Sequence, residues 1–335
     1  MQQKVMGGAR LLQSNPPDAR PNVGRAPTRF SAVEGRRSGT AFFTRAASRQ
    51  KRRVDSINVD ATVLHRIDAV RNLDQLARGR PKGTFIGVPD DEVKKMLSDN
   101  FLSPDNVVLE QNSPIVNTGD KLILFDTGMG TAKNFGPTTG RSQKSMKEAG
   151  IKPEDIDAVV FSHAHIDHIG GVVDESGKVL FPNAQFYIAQ SDLEFWTDES
   201  KAGGPMKDFI VHARKNLMPV RDRIVFFKDG QEFLPGVQAI AAPGHTVGHT
   251  IFMVTSNGKS FAYLGDLTHH PILLLEKPRM QFSYDTDPAQ AAETRVKLLD
   301  MIAANKTPVL AYHYAWPGVG HIAKTAEGFH YYPER

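Results

Sequence analysis

The sequence predicts an α/β protein, an αββα sandwich of two mixed β-sheets flanked by helices. Three observations lead there. Apolar runs of strand length recur from Val107 to Tyr312 and fall into two sets. Each set is accompanied by a helical stretch, the cleaner being the amphipathic segment from Pro288 to Ala304. One run, Ala158-Val159-Val160-Phe161, is apolar at successive positions, the pattern of a strand buried on both faces. Strands, helix, strands, helix in two halves is an order that lets each sheet cover one face with the other sheet and one with helices.

Composition bounds the function. The 335 residues are 40% hydrophobic, ample for a core. Cysteine is absent, which excludes a disulfide framework and thiolate metal sites and leaves the redox compartment open. No apolar run approaches the length of a membrane span. The net charge of +4 is unevenly placed: residues 1–53 hold twelve Lys and Arg against Asp18 and Glu34, so residues 54–335 carry −6. That balance argues against a phosphate-tracking groove for nucleic acid.

Residues 1–53 are rich in Arg, Ser, Ala, Pro and Gly without apolar periodicity, and read as a disordered basic leader. An organellar transit peptide or a start site further downstream would fit the same composition; no secretory signal is evident. The expected division is this leader and a folded domain over 54–335, with 54–105 the least defined part. There, Asp60 to His65 reads as a strand and Asp90 to Leu97 as a helix with acids in its first turn. Val107–Leu109, Ile115–Asn117 and Lys121–Phe125 follow as strands, the last running into Asp126-Thr127-Gly128. A helix over Ser142–Ala149 stops at Gly150, and an acidic turn, Pro153–Ile156, precedes the run at Ala158. Gln185–Ala189 is a strand, followed by a helix capped at Ser191 and carrying Phe195-Trp196, then a helical segment from Met206 to Leu217. Ile224–Phe227, Val237–Ile240, Thr250–Val254 and Ser260–Leu264 form a meander, and Pro308–Tyr312 is the final buried strand.

Chemistry concentrates where the run at Ala158 ends. Ser162-His163-Ala164-His165-Ile166-Asp167-His168-Ile169-Gly170-Gly171 places three histidines and an aspartate within six positions. Imidazole with carboxylate suits Zn, Mn or Fe(II), Zn being commonest where histidines dominate. In an extended turn His163 and His165 project to the same side, while Asp167 and His168 come where the chain turns into a helix and reach a neighbouring position. The reading is two ligands for each of two adjacent metals, with Gly170-Gly171 letting the backbone pass closely beneath. A lone histidine at a strand end would be a surface group satisfied by water. Ligand-type residues in HxHxDH order after a buried strand are a metal motif.

This pattern resembles the signature of the metallo-β-lactamase-fold hydrolases, and the resemblance runs from about residue 107 to 332. It implies that fold for the catalytic domain and three further ligands. They are His245 in Pro243-Gly244-His245-Thr246-Val247-Gly248-His249, Asp266 in Leu264-Gly265-Asp266, and His313 after Val309-Leu310-Ala311-Tyr312. Taken singly, His245 or His313 would read as a core or loop histidine; their order, each after an apolar run, makes them ligands. The implied assignment puts His163, His165 and His245 on one metal and Asp167, His168 and His313 on the other, with Asp266 between them. Two divalent ions follow, Zn first, with Mn, Co or Fe as alternatives. Two such ions roughly 3.5–4 Å apart make a bridging hydroxide available near neutral pH and take up charge on the substrate oxygen. No Ser, Cys or Lys nucleophile is needed.

Within the superfamily the chain resembles the methyl parathion hydrolase and lactonase-like branch. The residues that carry this are Phe135-Gly136-Pro137, Gly140-Arg141, Phe181-Pro182-Asn183-Ala184, Phe195-Trp196 and Pro317-Gly318-Val319-Gly320-His321-Ile322. Aromatic side chains form an apolar leaving-group pocket in that branch, which points to Phe135, Trp196 and Phe209; as plain residues all three read equally as core. His269 stands three residues past Asp266, where some lactonase relatives have a substrate-contacting tyrosine. It is expected to orient a carbonyl, protonate a leaving group or cap a loop. Asp167 and Asp266 count as catalytic as well as ligating, Asp126 is expected to support a ligand histidine, and His321 is expected to back up a ligand or be structural rather than ligate. The chain departs from the family over 54–105, which lacks the usual strand pair ending in Asp-Gly.

The implied function is a dinuclear metal-dependent hydrolase of a small ester, lactone or phosphotriester. An iron-dependent persulfide dioxygenase on the same fold needs one metal, and the completion of a second set by His168 and His313 argues for hydrolysis. Nucleases of this fold usually add a domain and sit poorly with the −6 balance. A non-enzymatic metal-binding module has no reason to keep two open sites. The expected partner is a small-molecule substrate, with no nucleic acid and no membrane; a homodimer is left open. Localisation is left open, with a soluble protein of cytoplasm or periplasm fitting the sequence.

Overall fold

The computed structural model describes residues 63–71 and 83–334. The basic leader over 1–53 lies outside them, as do residues 60–62 of the first expected strand.

The first half contains β1 (Val63–Arg71), β2 (Phe85–Ile86), α1 (Asp90–Asp99), β3 (Val108–Asn117), β4 (Leu122–Phe125), α2 (Ser142–Glu148), β5 (Ala158–Val160), α3 (Ile166–Ile169), β6 (Gln185–Ala189), α4 (Gln190–Thr197), α5 (Lys207–Leu217) and β7 (Ile224–Phe227). The second contains β8 (Glu232–Leu234), β9 (Val237–Ala241), β10 (Thr250–Ser256), β11 (Lys259–Tyr263), α6 (Leu273–Glu276), β12 (Gln281–Phe282), α7 (Pro288–Ala304), β13 (Val309–Leu310), β14 (Val319–Lys324) and β15 (Phe329–Pro333). One sheet runs β1-β3-β4-β5-β6-β7 and the other β15-β14-β13-β11-β10-β9-β8. Both are mixed. In the first, β4 to β7 pair in parallel while β1, β3 and β4 pair antiparallel; in the second, only β11 and β13 are parallel. A third, two-stranded sheet joins β2 and β12.

The strand period of two sorts apolar side chains into layers. Along β4 and β5, Ile123, Phe125, Ala158 and Val160 pack between the sheets with Phe252, Tyr263, Leu310 and Tyr312. Their neighbours Leu124, Val159 and Phe161 face the helices, with Met146, Phe186, Trp196, Ile210 and Leu217. Strand β11 splits in the same way. Phe261 and Tyr263 enter the inter-sheet layer, and Ala262 joins Leu298, Leu299 and Ile302 of α7. Pro288 and the side chain of Asp287, which accepts from the Gln290 N–H at 3.0 Å, start that helix. A fourth cluster, with Val93 and Leu97 of α1, Leu273 and Leu274 of α6, Phe85 and Phe282, covers one mouth of the sandwich.

Four expectations are corrected. Val108–Leu109 and Ile115–Asn117, expected as two strands, are parts of one ten-residue strand, β3, which leaves out Val107. Its polar middle hides the continuity because those residues serve the far sheet: Asn112 Nδ2 donates to the carbonyls of Ala311 and Tyr314 at 3.2 and 2.8 Å. Ser191 does not cap α4, which begins one residue earlier with Ala189 at its N-cap. The strand at Pro308–Tyr312 shortens to β13 and is not the last, because the hairpin β14–β15 follows. The strand expected over residues 60–65 is described from Val63 onward, where β1 runs past His65 to Arg71. Among the described residues no helix is long and apolar enough to cross a membrane.

Candidate metal centre

The candidate ligands all stand just beyond strand ends, on one edge of the sandwich. His163 and His165 follow β5, and Asp167 and His168 form the start of α3; His245 follows β9, Asp266 follows β11 and His313 follows β13. Two glycines let the backbones approach. A Cβ on Gly171 would lie 2.3 Å from the Thr127 carbonyl oxygen, and one on Gly265, at φ +48°, would lie 2.8 Å from the Ser162 Cβ. Asp192 of α4 clamps two of the loops together. Its carboxylate accepts from Ala164 N–H, between His163 and His165, at 2.6 Å and from Gly248 N–H, beyond His245, at 2.9 Å. Burial pushes that carboxyl up.

Three overlapping buried groups result, His163–His165–His245, Asp167–His168–Asp266–His313 and His245–Asp266–His269, with ligand atoms within 4.8 Å of one another in each; the first two correspond to the expected ligand sets. Asp266 touches both. Its Oδ2 is 3.1 Å from His245 Nε2 and 3.2 Å from His313 Nε2, while its Oδ1 is 3.2 Å from His168 Nε2. Asp167 Oδ2 stands 3.5 Å from His168 Nε2 and 3.6 Å from His313 Nε2.

The donor set fits divalent cations. Each of four rings has its Nδ1 engaged outside the centre. His168 Nδ1 is 2.8 Å from Asp126 Oδ2, His245 Nδ1 is 2.8 Å from Asp285 Oδ1, and His313 Nδ1 donates to the Glu110 carbonyl at 2.8 Å. The Ser162 hydroxyl donates to Asp126 at 2.7 Å, so its oxygen accepts from His163 Nδ1–H at 3.0 Å. The Nε2 lone pairs therefore point inward. His163 Nε2 and His245 Nε2 face each other at 3.2 Å, and His168 Nε2 and Asp266 Oδ1 are buried without a hydrogen bond. Electron pairs converging in a dry site call for a cation.

The charges are tightly bound together. Burial, then the neighbouring His168, hold the His163 imidazole well below its usual range. For His168 burial is outweighed by Asp266, Asp167 and Asp126, which carry it well above that range. Burial would likewise lower His245, but Asp266 and Asp285 bring it up to about 9. Asp266 falls well below the carboxylate range despite its burial, under the influence of His168 and His313.

A cleft opens over this centre, lined by Leu109, Phe135, Phe209, Phe282 and Tyr284, with His165, Asp167, His245, Asp266, His269 and His313 at its floor. Trp196, expected on that wall, is not there. It is 3% exposed and lies behind His165, ring centroids 4.8 Å apart, because α4 turns it into the helix-facing core. His269 reaches the cleft floor, its Nε2 donating to Asp266 Oδ2 at 3.0 Å and its ring stacked on Phe282 at 4.0 Å. Burial takes it down to about 4, and its Nδ1 has no hydrogen bond, unlike the four rings above. His321 is exposed on β14, away from any supporting role.

Four residues carry no sequence signal strong enough to single them out. Asp285 and Asp192 are isolated acids in a loop and a helix. Tyr263 and Tyr312 read as strand hydrophobes, yet their hydroxyls donate to Asp126 Oδ2 at 2.6 Å and to the Asp167 carbonyl at 2.5 Å. His249 was visible within the His245 motif. It receives the Asp266 N–H on Nε2 at 2.9 Å, and burial lowers it to about 3.

Sandwich, histidine-carboxylate centre and apolar cleft together define a metal-dependent hydrolase of the metallo-β-lactamase type. Residues 107–313 match the family described as the Metallo-beta-lactamase superfamily, and the chain belongs to it. Among solved structures it is similar to AidC, a dizinc quorum-quenching lactonase in complex with a product, N-hexanoyl-L-homoserine. Identity is 32%, over 81% of this chain and 93% of that one, with a TM-score of 0.73. It is also similar to the hydrolase AbOPH of the β-lactamase superfamily, 26% identical over 81% and 93% of the two chains, TM-score 0.73. The metallo-hydrolase mfmC of Annulohypoxylon moriforme is 29% identical over 196 residues, 48% of each chain, so this chain spans about half of that relative's length.

Proposed function

We propose that the protein is a dinuclear metallohydrolase that opens lactones, with small esters and phosphotriesters as further substrates of the same centre. The observation that carries this is the placement of Asp266 between two ligand groups at the floor of an apolar cleft. A second group complete in Asp167, His168 and His313 favours hydrolysis over a single-iron oxidation. Likeness to a dizinc lactonase supports Zn and the lactone, and the sequence features shared with the methyl parathion hydrolase branch support the phosphotriester.

His163, His165 and His245 would hold one cation and Asp167, His168 and His313 the other, Asp266 serving both. When bound, the pair would lower the pKa of water to near neutrality and polarise the substrate's oxygen. The chain does the rest. Leu109, Phe135, Phe209 and Phe282 take the apolar side of the substrate and exclude solvent. His269, fixed by Asp266 and Phe282, presents an imidazole edge that orients the substrate's polar group.

Metal analysis coupled to a three-substrate panel (an acyl homoserine lactone, an aryl ester and a phosphotriester) tests the reading. Two metals per chain with metal-dependent turnover highest on the lactone is the expected result. One iron per chain, with oxygen uptake on a persulfide and no hydrolysis, would overturn it.

A further inference from the structure

A buried ion pair stands directly behind the His163–His165–His245 group. His245 Nδ1–H donates to Asp285 Oδ1 at 2.8 Å. The other oxygen, Oδ2, has no hydrogen bond of its own and lies 3.6 Å from Arg295 Nη2. Arg295 belongs to α7 and is 1% exposed. Its Nε donates to the Leu267 carbonyl at 3.0 Å, and its Nη1 donates to the carbonyls of Pro278 and Met280 at 3.0 and 2.7 Å. A planar guanidinium held by three carbonyls has one orientation. One of those carbonyls belongs to the residue after Asp266, so α7 grips the chain beside Asp266 and, through Asp285, the ring of His245.

An ion pair this deep is poor evidence of stability, since apolar side chains would fill the same space without desolvating charge. The surroundings say what the charge serves. His163 leans on a serine hydroxyl and His313 on a neutral carbonyl. In the first group only His245 is shown leaning on a carboxylate, and a carboxylate on Nδ1–H fixes the tautomer and strengthens Nε2 as a donor. The matching carboxylate of the second group, Asp126, acts on His168.

We propose that Asp285 and Arg295 are positioning residues for the cation of the His163–His165–His245 group: Arg295 fixes the Asp285 carboxylate, which fixes and strengthens His245. This rests on the metal reading above. It assigns the pair to one cation of the two, so their loss unbalances the centre rather than emptying it.

The test is a Zn titration of the metal-depleted full chain against a chromogenic chelator, with Co(II) absorption as a second readout. Wild type is expected to hold two cations. Asp285→Ala should bind one with unchanged affinity and the other roughly 10–100-fold more weakly. Asp285→Asn, which can still accept from Nδ1–H but carries no charge, should fall between them, and Arg295→Lys should weaken the same cation. Should Asp285→Ala not fold, the isosteric Asp285→Asn decides. Two affinities unchanged, or both reduced alike in a folded variant, would overturn the assignment while leaving the metal centre standing. A wild type that binds no cation would overturn the metal reading itself and the assignment with it.

Discussion

The Asp126 carboxylate and the His168 imidazole lie 2.8 Å apart, Oδ2 to Nδ1, and neither is exposed to solvent. Asp126 collects the Ser162 N–H and hydroxyl and the Tyr263 hydroxyl as well, at 2.8, 2.7 and 2.6 Å. It does so from a left-handed backbone, φ +54°, which Asp and Asn tolerate better than most residues. Asp126→Asn therefore keeps the backbone and removes the charge. The expected outcome is roughly 10–100-fold weaker binding of the cation proposed for the His168 group, read by chelator competition.

Asp266→Asn should leave the metal-free fold intact by circular dichroism and lower turnover by several orders of magnitude. On the proposed two-cation reading, an amide neither balances the two charges nor offers two anionic oxygens to groups 3.1 to 3.2 Å away on either side. Wild-type turnover with full metal content would rule out a central role for this carboxylate.

Phe209 and Trp196 separate wall from core. Phe209 is half-buried on the cleft, so Phe209→Ala should raise KM on apolar substrates with little change in Tm. Trp196 is core, so Trp196→Ala should cost about 3–5 kcal/mol of stability. Thermal melts beside Michaelis curves check both.

His270 gives an acid-sensitive element outside the ligand set. Burial holds its imidazole at about 3, and its Nδ1 accepts the N–H groups of Ile272 and Leu273 at 3.2 and 3.1 Å. With its folded pKa below its unfolded one, the unfolded chain binds the extra proton as pH falls. Stability is complete above about pH 6.5 and declines towards pH 3, at up to about 1.4 kcal/mol per pH unit. His270→Asn keeps an acceptor and removes the titration. Urea melts across that window should show a shallower pH dependence than the parent.

What the sequence revealed followed from periodicity and motif. Helix α7 is readable from Pro288 and its apolar stripe, and the HxHxDH motif stands out after its apolar run, whereas His245, Asp266 and His313 are picked out by the family resemblance. The misreadings share a cause: side chains that answer to distant partners. The middle of β3 is polar because Asn112 serves carbonyls 199 and 202 residues away. Trp196 was placed on the cleft by likeness to relatives, whereas the facing of α4 decides its direction. Asp285 acquires meaning only when α7 brings Arg295 behind it.

The seven candidate ligands divide between the sheets. The loops around β5 supply His163, His165, Asp167 and His168, and those after β9, β11 and β13 supply His245, Asp266 and His313. Neither sheet supplies all seven, since His163–His165–His245 and Asp167–His168–Asp266–His313 each take members from both. Retention of metal at the proposed centre would thus be a proofreading of topology: only a chain whose two sheets have docked in register would bring both groups together. Docking of this kind joins segments far apart in the sequence. Far-ultraviolet dichroism, which counts strands and helices wherever they lie, would pass a misdocked chain that a metal assay would reject.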